Sequence, residues 1–576
     1  MKVVKLMLAM VLAGGLAFTG CRNVDETDDL ANVVENGDNH DDPEDYLWDE
    51  SDVVPIVFDG TSISALGEGV SISGSVVTIN SSGNYSLSGT LTDGQLIVNS
   101  EDEGIVRLIL NGVDMSCSSS APIYIINAKK TIIYLAENSS NFMEDGDEYV
   151  FEDPDEDFNA AIYSKDDLTI FGEGTLTVKA NYKDGITSKD GFIIASGTIM
   201  VDAEDDGIRG KDYLIIKNGT FVIEAEGDGL KSDNDEDGAF GYIDIEDGAF
   251  DIASDRDAIS AETDVLIANG SFNLISGGGS SNSAGDNSVK GIKAGVLLQI
   301  DNGIFDINTA DDALHSNGLL TINGGDFLVA TGDDGFHADS DLEVNAGTID
   351  ITKSYEGLES ADGNITINGG TIHAVTSDDG INVAAGGAPS GGGPGGAPMV
   401  ASAESGQYLY INGGYIYLDA SGDGLDSNGS IDFTAGTAIV NGPTLNNNGP
   451  IDCDGTFNMN GGFMIAAGSS GMAESPSSSS GQYGVMLTFG SSQLAGTLVH
   501  IQINGGDEIL SFQPTKTFQS MVFSTSSLAS GTTYDVYLNG SSSGSAVDGL
   551  YEGGSYTPGT KATTFTISNK ITQVNL

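Results

Sequence analysis

A beat of 22 residues runs through the middle of this chain and limits its fold more than any other feature. An acid, a small residue and an apolar residue recur at Asp184-Gly185-Ile186, Asp206-Gly207-Ile208 and Asp228-Gly229-Leu230. Asp257-Ala258-Ile259 comes after a step of 29, and Gly291-Ile292 after 33. Asp312-Ala313-Leu314, Asp334-Gly335-Phe336 and Glu356-Gly357-Leu358 restore the step of 22. Asp379-Gly380-Ile381 follows after 23, and Asp423-Gly424-Leu425 after 44. Apolar columns keep the same time: Leu314, Phe336, Leu358, Ile381; then Leu320, Leu342, Ile365; then Phe327, Ile349, Ile372. Inside each repeat the apolar residues alternate, as in Leu320-x-Ile322 and Phe327-x-Val329, which is the period of a strand with one buried side.

Three short strands cannot bury their apolar side alone, so successive units must stack. The predicted fold is all-β: a parallel β-helix of about 22 residues per coil over 59–480, each coil adding one strand spacing, ~4.8 Å. An antiparallel sandwich would not keep so constant a step. Glycine is abundant, 80 of 576 residues. The Asp-Gly glycines are expected at corners that need φ > 0. A small-residue column (Ser188, Gly210, Ser232, Ala261, Ala294, Ser316, Ala338, Ser360, Ser427) fits a tightly stacked corner.

The departures from the beat are also informative. The step of 44 contains a Gly/Pro-rich stretch over 386–406, which reads as one coil carrying a long inserted loop. The steps of 29 and 33 imply shorter insertions near 233–240 and 277–288. From 481 the beat is lost, and runs such as Tyr483–Phe489, Leu498–Ile503 and Thr533–Leu538 predict a small C-terminal β module over 481–576.

The N-terminus reads as an export signal over 1–20. Lys2 and Lys5 precede an apolar run from Leu6 to Phe18, too short to span a bilayer. Leu16-Ala17-Phe18-Thr19-Gly20-Cys21 resembles a bacterial lipobox, which would leave Cys21 lipidated and anchor an exported protein to a membrane. An ordinary secretory signal with a coincidental cysteine is the alternative. Residues 21–58 are expected to form an acidic tether, since 22–50 hold twelve acids and one Arg. The lipid anchor is the expected membrane contact, with the body a monomer.

The formal charge is −64, with 21 Lys+Arg against 85 Asp+Glu. A duplex nucleic-acid partner is excluded, because phosphate binding needs clustered basic residues on the surface. Three cysteines cannot form a disulfide scaffold. Cys117 and Cys453 are left as free or paired.

The residue before the corner glycine is almost always acidic: Asp206, Asp228, Asp312, Asp334, Glu356, Asp379, Asp423. A second acid often precedes it, as at Asp311, Asp333 and Asp378. Two readings stand open. Stacked carboxylates are ligands for Ca²⁺, which takes six to eight oxygens. Alternatively, Asp-Gly is simply turn chemistry, with Asp bonding its own backbone. Two residues after each glycine lies a column holding Arg209, Lys231, Lys293, His315 and His337. These bases could grip an acidic sugar polymer, or merely neutralise the neighbouring acids. The two histidines alone suggest zinc poorly, because no third ligand stands at a suitable spacing.

The single Trp, Trp48, falls in the tether. Tyr408, Tyr410, Tyr415 and Tyr417 alternate with inward-facing apolar residues, so four tyrosines are expected to face outward beside the Gly-rich loop. They form either a sugar-stacking surface or the floor under that loop. No Ser-His-Asp arrangement, phosphate loop or HExxH motif is present.

The stretches Ala161-Ile162-Tyr163-Ser164-Lys165-Asp166-Asp167-Leu168, Asp206-Gly207-Ile208-Arg209-Gly210-Lys211-Asp212, Gly227-Asp228-Gly229-Leu230-Lys231-Ser232 and Gly422-Asp423-Gly424-Leu425-Asp426-Ser427-Asn428-Gly429 resemble the bacterial carbohydrate-binding domain-containing family of clostridial type. The likeness spans roughly 60–576, including Phe518-Gln519-Ser520-Met521-Val522-Phe523-Ser524. It implies a right-handed parallel β-helix related in shape to pectate lyases. It also implies calcium, and a cellulose-like or pectic polysaccharide as partner, without established catalysis. A calcium-dependent polyuronate lyase and a structural or adhesion protein are the rival readings. Lys231, Lys293 or Arg209 could serve the lyase as base, and the sequence selects none of them.

Overall fold

The computed structural model describes residues 40–151, 158–384 and 406–576. Each coil carries three strands, and like strands of successive coils pair in parallel. One coil shows the plan: Ile208–Gly210 on the first face, Tyr213–Ile216 on the second and Thr220–Ala225 on the third. The registers follow the sequence columns. Leu314 pairs with Phe336, Phe336 with Leu358 and Leu358 with Ile381 on the first face. Leu320, Leu342 and Ile365 are partners on the second, and Phe327, Ile349 and Ile372 on the third. The fold is the expected parallel β-helix.

Its core is a set of ladders rather than a mixed interior. Phe221, Phe250, Phe272, Phe305 and Phe327 stack with centroids 4.6–4.8 Å apart and planes within 5°. That spacing is the strand spacing itself, so identical side chains fill identical slots coil after coil.

The corner glycines work differently from the expectation. The φ > 0 positions fall between the second and third faces, as at Gly270 (φ 143°) and Gly325 (φ 102°). The Asp-Gly glycines between the third and first faces are small for a steric reason. A Cβ on Gly335 would sit 2.4 Å from the Gly357 carbonyl oxygen, and one on Gly357 would sit 2.3 Å from that of Gly380. Stacked carbonyls, not backbone twist, demand glycine there.

All three insertions lie where the beat slips. Ile381–Val383 pairs directly with Leu425–Ser427, and Ile365–Ile367 with Tyr408–Ile411. The 44-residue step is therefore one coil. The body of the loop read at 386–406 lies outside the described residues, apart from its last residue, Gly406. The insertion near 233–240 leaves between the first and second faces, and that near 277–288 between the third and first.

The tether expected over 21–58 differs in its second half. His40 stacks on Tyr213 at 4.2 Å, and Trp48 packs on Tyr134 at 4.7 Å beneath Arg107. Asp45 is buried and pairs with Lys130 at 2.7 Å, and Asp41 pairs with Lys217. Aromatic and basic residues of the second face thus hold 40–52 against the coils. Cys21, the predicted lipidation site, lies outside the described residues, as does the rest of the signal.

At the C-terminal end the last third-face strand, Phe463–Gly468, pairs antiparallel with Phe518–Ser524, which in turn pairs with Gly484–Gln493. A separate six-stranded antiparallel sheet includes Val499–Ile503 and Thr533–Ser542. This module covers the open edge of the last coils, as terminal caps of stacked folds must. Cys117 and Cys453 are buried free thiols.

Candidate functional site

The corner acids form one buried row along the first face, including Asp184, Asp206, Asp228, Asp257, Asp312, Asp334, Glu356 and Asp423. Their first task is structural. Asp206 Oδ1 accepts the Asp228 N–H at 2.9 Å, Asp312 Oδ1 that of Asp334 at 3.0 Å, and Asp334 Oδ1 that of Glu356 at 3.1 Å. These three carboxylates therefore bond the backbone of the next coil, not their own turns, and close donors that would otherwise be buried and unpaired.

The second oxygen of each acid faces the column two residues beyond the glycine. Registers place Arg209 beside Lys231, then Ser260, Lys293, His315, His337, Glu359, Asn382, Asp426 and Asp452. Up to His337 this column is basic or neutral. Lys231 Nζ bridges Asp206 and Asp228 at 3.0 and 2.9 Å. Lys290, replacing the corner acid of its coil, lies 2.7 Å from Asp311 and 2.9 Å from Asp312. His315 Nδ1 meets Asp312 at 2.8 Å. His337 Nδ1 meets Asp334 at 3.2 Å and Glu359 at 2.6 Å.

From Glu356 onward the bases run out. Asp379, Asp423 and Asp426 bring one oxygen each within 4.8 Å of the others. Burial and then repulsion from Asp379, Asp423 and Asp452 push Asp426 up to about 8. Burial and Asp378 push Asp379 to about 7. Burial, with Asp334 and Glu359, pushes Glu356 to about 10. In the basic half burial acts the same way, but Asp228 rises only to about 6, because Lys231 opposes it. Asn382 stands in the ladder between Glu359 and Asp426; its Nδ2 donates to Glu356 at 2.9 Å, and its buried Oδ1 has no protein partner.

The ion contacts bear on the calcium reading. At Asp311 and Asp312 an ammonium stands where a cation would, and Asp333 is exposed. Asp206 and Asp228 share Lys231. Asp379 and Asp423 have no cationic partner among the described residues. With Asp426, which the sequence reading placed in the column beyond the glycines and not among the calcium ligands, they form the carboxylate group that best fits a hard cation.

A second feature lies at the N-terminal end of the same face. Tyr163, Lys165, Lys189, Arg209, Lys211, Asp233, Asp235 and Glu262 line an open cleft of about 740 Å³. Lys165, Lys189 and Lys211 come from successive coils, since the Lys189 N–H bonds the Ser164 carbonyl and the Lys211 N–H that of Ser188. Arg209 is oriented by Asp233, with Nε at 3.0 Å from Oδ1. The sequence reading found Arg209 but not the three lysines. Their signal was there in Ser164-Lys165-Asp166, Ser188-Lys189-Asp190 and Gly210-Lys211-Asp212.

The expected surface of four tyrosines divides into two pairs. Tyr408 and Tyr410 stack at 5.0 Å on the second face, half-buried. Tyr415 and Tyr417 lie on the third face, packed against the C-terminal module, with the Tyr415 hydroxyl donating to Asp548 at 2.6 Å. Lys293 lies 4.0 Å from Asp257 at the middle of the row.

Fold and site together define a stacked-coil β-helix with one face devoted to charge. Residues 73–335 match the family model described as carbohydrate-binding domain-containing protein. Over those residues the chain is similar to the family its motifs resemble. A relative of that same description from Acetivibrio thermocellus is 38% identical over 205 residues, which cover 35% of this chain and 66% of the relative. A solved structure described as the polysaccharide lyase-like protein from C. thermocellum, as a gadolinium derivative, is 34% identical, with a TM-score of 0.37. That likeness covers 47% of this chain and 96% of the other.

Proposed function

We propose that this protein binds an acidic polysaccharide along the first face of its helix. The observation that carries the reading is the cleft, where Lys165, Lys189, Arg209 and Lys211 gather in a chain of charge −64. Such a concentration of bases in so acidic a molecule would attract an anion even beside Asp233, Asp235 and Glu262, and charge-assisted bonds from Lys and Arg suit uronate carboxylates. The family match supports a carbohydrate as the ligand.

Calcium is the second part of the reading. Asp379, Asp423 and Asp426 would hold it, with the unpartnered Asn382 oxygen close by in the ladder. The ion would neutralise the buried carboxylates and offer open coordination positions to a sugar carboxylate or hydroxyl. An exported protein held at a membrane through lipid on Cys21 fits both parts; mass spectrometry of the mature N-terminus tests that anchor.

The ion pairs favour binding over cleavage. A lyase base must be neutral, but Lys231 is held charged: burial lowers its pKa, and Asp228 and Asp206 outweigh that and raise it. Arg209 is tied to Asp233. No residue is assigned a catalytic role.

The test is retention of the exported protein on immobilised polygalacturonate, alginate and cellulose, with calcium and again with chelator. Retention on the polyuronates that chelator weakens supports the reading. Unsaturated uronide products would replace it with the lyase. Failure of the folded protein to bind any glycan would leave the structural role ahead.

A further inference from the structure

We infer that His315 and His337 hold a divalent cation of the zinc class, with Asp312 and Asp334 as its carboxylate ligands. The two rings stack with centroids 4.7 Å apart and planes 12° apart, because the register sets one directly over the other. Both rings divide their nitrogens in the same way. Nδ1 turns toward the acid row, 2.8 Å from Asp312 Oδ2 in His315, and 3.2 Å from Asp334 Oδ2 and 2.6 Å from Glu359 Oε2 in His337. Nε2 turns outward, 2.9 Å from Asn317 Oδ1 and 3.2 Å from Asp339 Oδ1. A metal-binding imidazole needs this division: one nitrogen for the ion, the other N–H donated to an acceptor that fixes the ring and its tautomer.

The ligand that the sequence spacing lacked comes from the corner acids of the same two coils. Atoms of Asp312, His315 and His337 lie within 4.8 Å of one another, as do those of Asp334, His337 and Glu359. Two imidazoles and carboxylates form a set that zinc-class ions take in tetrahedral sites, whereas calcium prefers oxygen alone. The corresponding slot three coils before His315 is filled by the Lys231 ammonium between Asp206 and Asp228. The coils beyond His337 offer only oxygens and an amide. Among the described residues of the row, the histidine pair is the place where borderline donors join the carboxylates, with the Lys290 ammonium 2.9 Å from Asp312 Oδ2 at its edge. Lys290 contributes one positive charge beside Asp312, set against Asp311, Asp333, Asp334 and Glu359. The inference does not rest on the polysaccharide reading.

The test uses the exported protein dialysed against Zn²⁺ in excess Ca²⁺, with bound zinc measured by atomic emission. A single zinc should be retained. Its affinity should fall at least tenfold in His315→Gln and in His337→Gln, and about tenfold in Asp339→Asn, which only orients a ring. Far-UV circular dichroism checks that each variant folds. Co²⁺ added to the unmutated protein gives a reading that no variant can confuse: ring resonances of His315 and His337 should move while those of His500 stay. Zinc displaced by calcium, zinc uptake unchanged in the His315→Gln/His337→Gln double variant, or unmoved ring resonances would each overturn the assignment.

Discussion

The coils before and after His337 share one backbone plan and one row of corner acids, yet they solve opposite electrostatic problems. Before it, Arg209, Lys231, Lys290 and Lys293 reach into the row, and the carboxylates are paired within the protein. After it, Glu359, Asn382, Asp426 and Asp452 occupy the same column. The fold alone does not need the bases, since both halves keep the same register. What the column decides is who neutralises the row. In the first half it is the chain itself. In the second half the carboxylates must keep protons or take a cation from solution.

The largest expected effect comes from breaking the first half. Lys231→Met removes the ammonium from between two buried acids. Loss of one partner of a buried ion pair costs about 3–5 kcal/mol. Urea denaturation followed by tryptophan-independent circular dichroism should show that loss, and Lys231→Arg should restore most of it. A change below about 1 kcal/mol would mean that water, not Lys231, solvates Asp206 and Asp228.

The second effect is the pH response, which should be largest in the second half. Asp379 and Asp426 titrate near 7 and 8 in the fold against an ordinary 3.8. Between pH ~4 and ~8 the native state therefore binds more protons than the unfolded one, and stability falls as pH rises. Asp312 behaves the other way. Burial alone would raise its pKa, but His315 and Lys290 hold it below the ordinary value. Its stabilisation is present above pH ~4 and is lost as acid protonates it. Hydrogen exchange, corrected for intrinsic rates, should show segments 408–454 loosening from pH 5 to pH 8 by an amount on the order of a few kcal/mol. Calcium should remove most of that change. Equal protection at both pH values without calcium would refute the uncompensated half.

The architecture was legible because a helix of identical coils writes its period directly into the sequence. Leu314, Phe336 and Leu358 are equally spaced because they stack, and a one-residue slip would turn each outward. The 44-residue step could likewise be read as one coil. Corner chemistry was less legible. Asp-Gly spells a turn in either hand, and only coordinates show that Gly335 is needed for a neighbouring carbonyl rather than for positive φ. The acid and base columns were visible, but not their pairing. Lys290 reads as the residue before Gly291, and only its 2.7 Å contact with Asp311 shows that it pairs with the acids of the next coil. Tyr415 and Tyr417 looked outward correctly; what covers them comes from the C-terminal module, where Asp548 meets Tyr415 from 133 residues further along.

A smaller effect should follow from Asp426→Asn, which takes one charge out of the second half. Removing a carboxylate that others repel should raise calcium-free stability at pH 8 by about 1–2 kcal/mol, roughly one unit of pKa relief. The same variant should lose most of the stabilisation by calcium, because one of three close oxygens no longer carries charge. Thermal melting with and without calcium separates the two. A variant that is less stable without calcium would show that Asp426 serves the fold rather than an ion.

The smallest effect on the fold, and the cleanest on binding, is expected at the cleft. Lys211 is partly exposed, and its ion pair with the exposed Glu236 is loose at 3.7 Å. Such a surface pair contributes about 0–1 kcal/mol, so Lys211→Ala should leave the melting temperature almost unchanged. A charge-assisted bond to a sugar carboxylate is worth about 1.5–3 kcal/mol, so polyuronate affinity should fall about tenfold or more. The loss should shrink as salt is raised, because the cleft is open and its charges are screened. Asp426→Asn provides the opposite arm: its binding loss should depend on calcium, whereas that of Lys211→Ala should not. If both variants respond to calcium alike, the two ends of the face act as one site, and the division at His337 concerns folding alone.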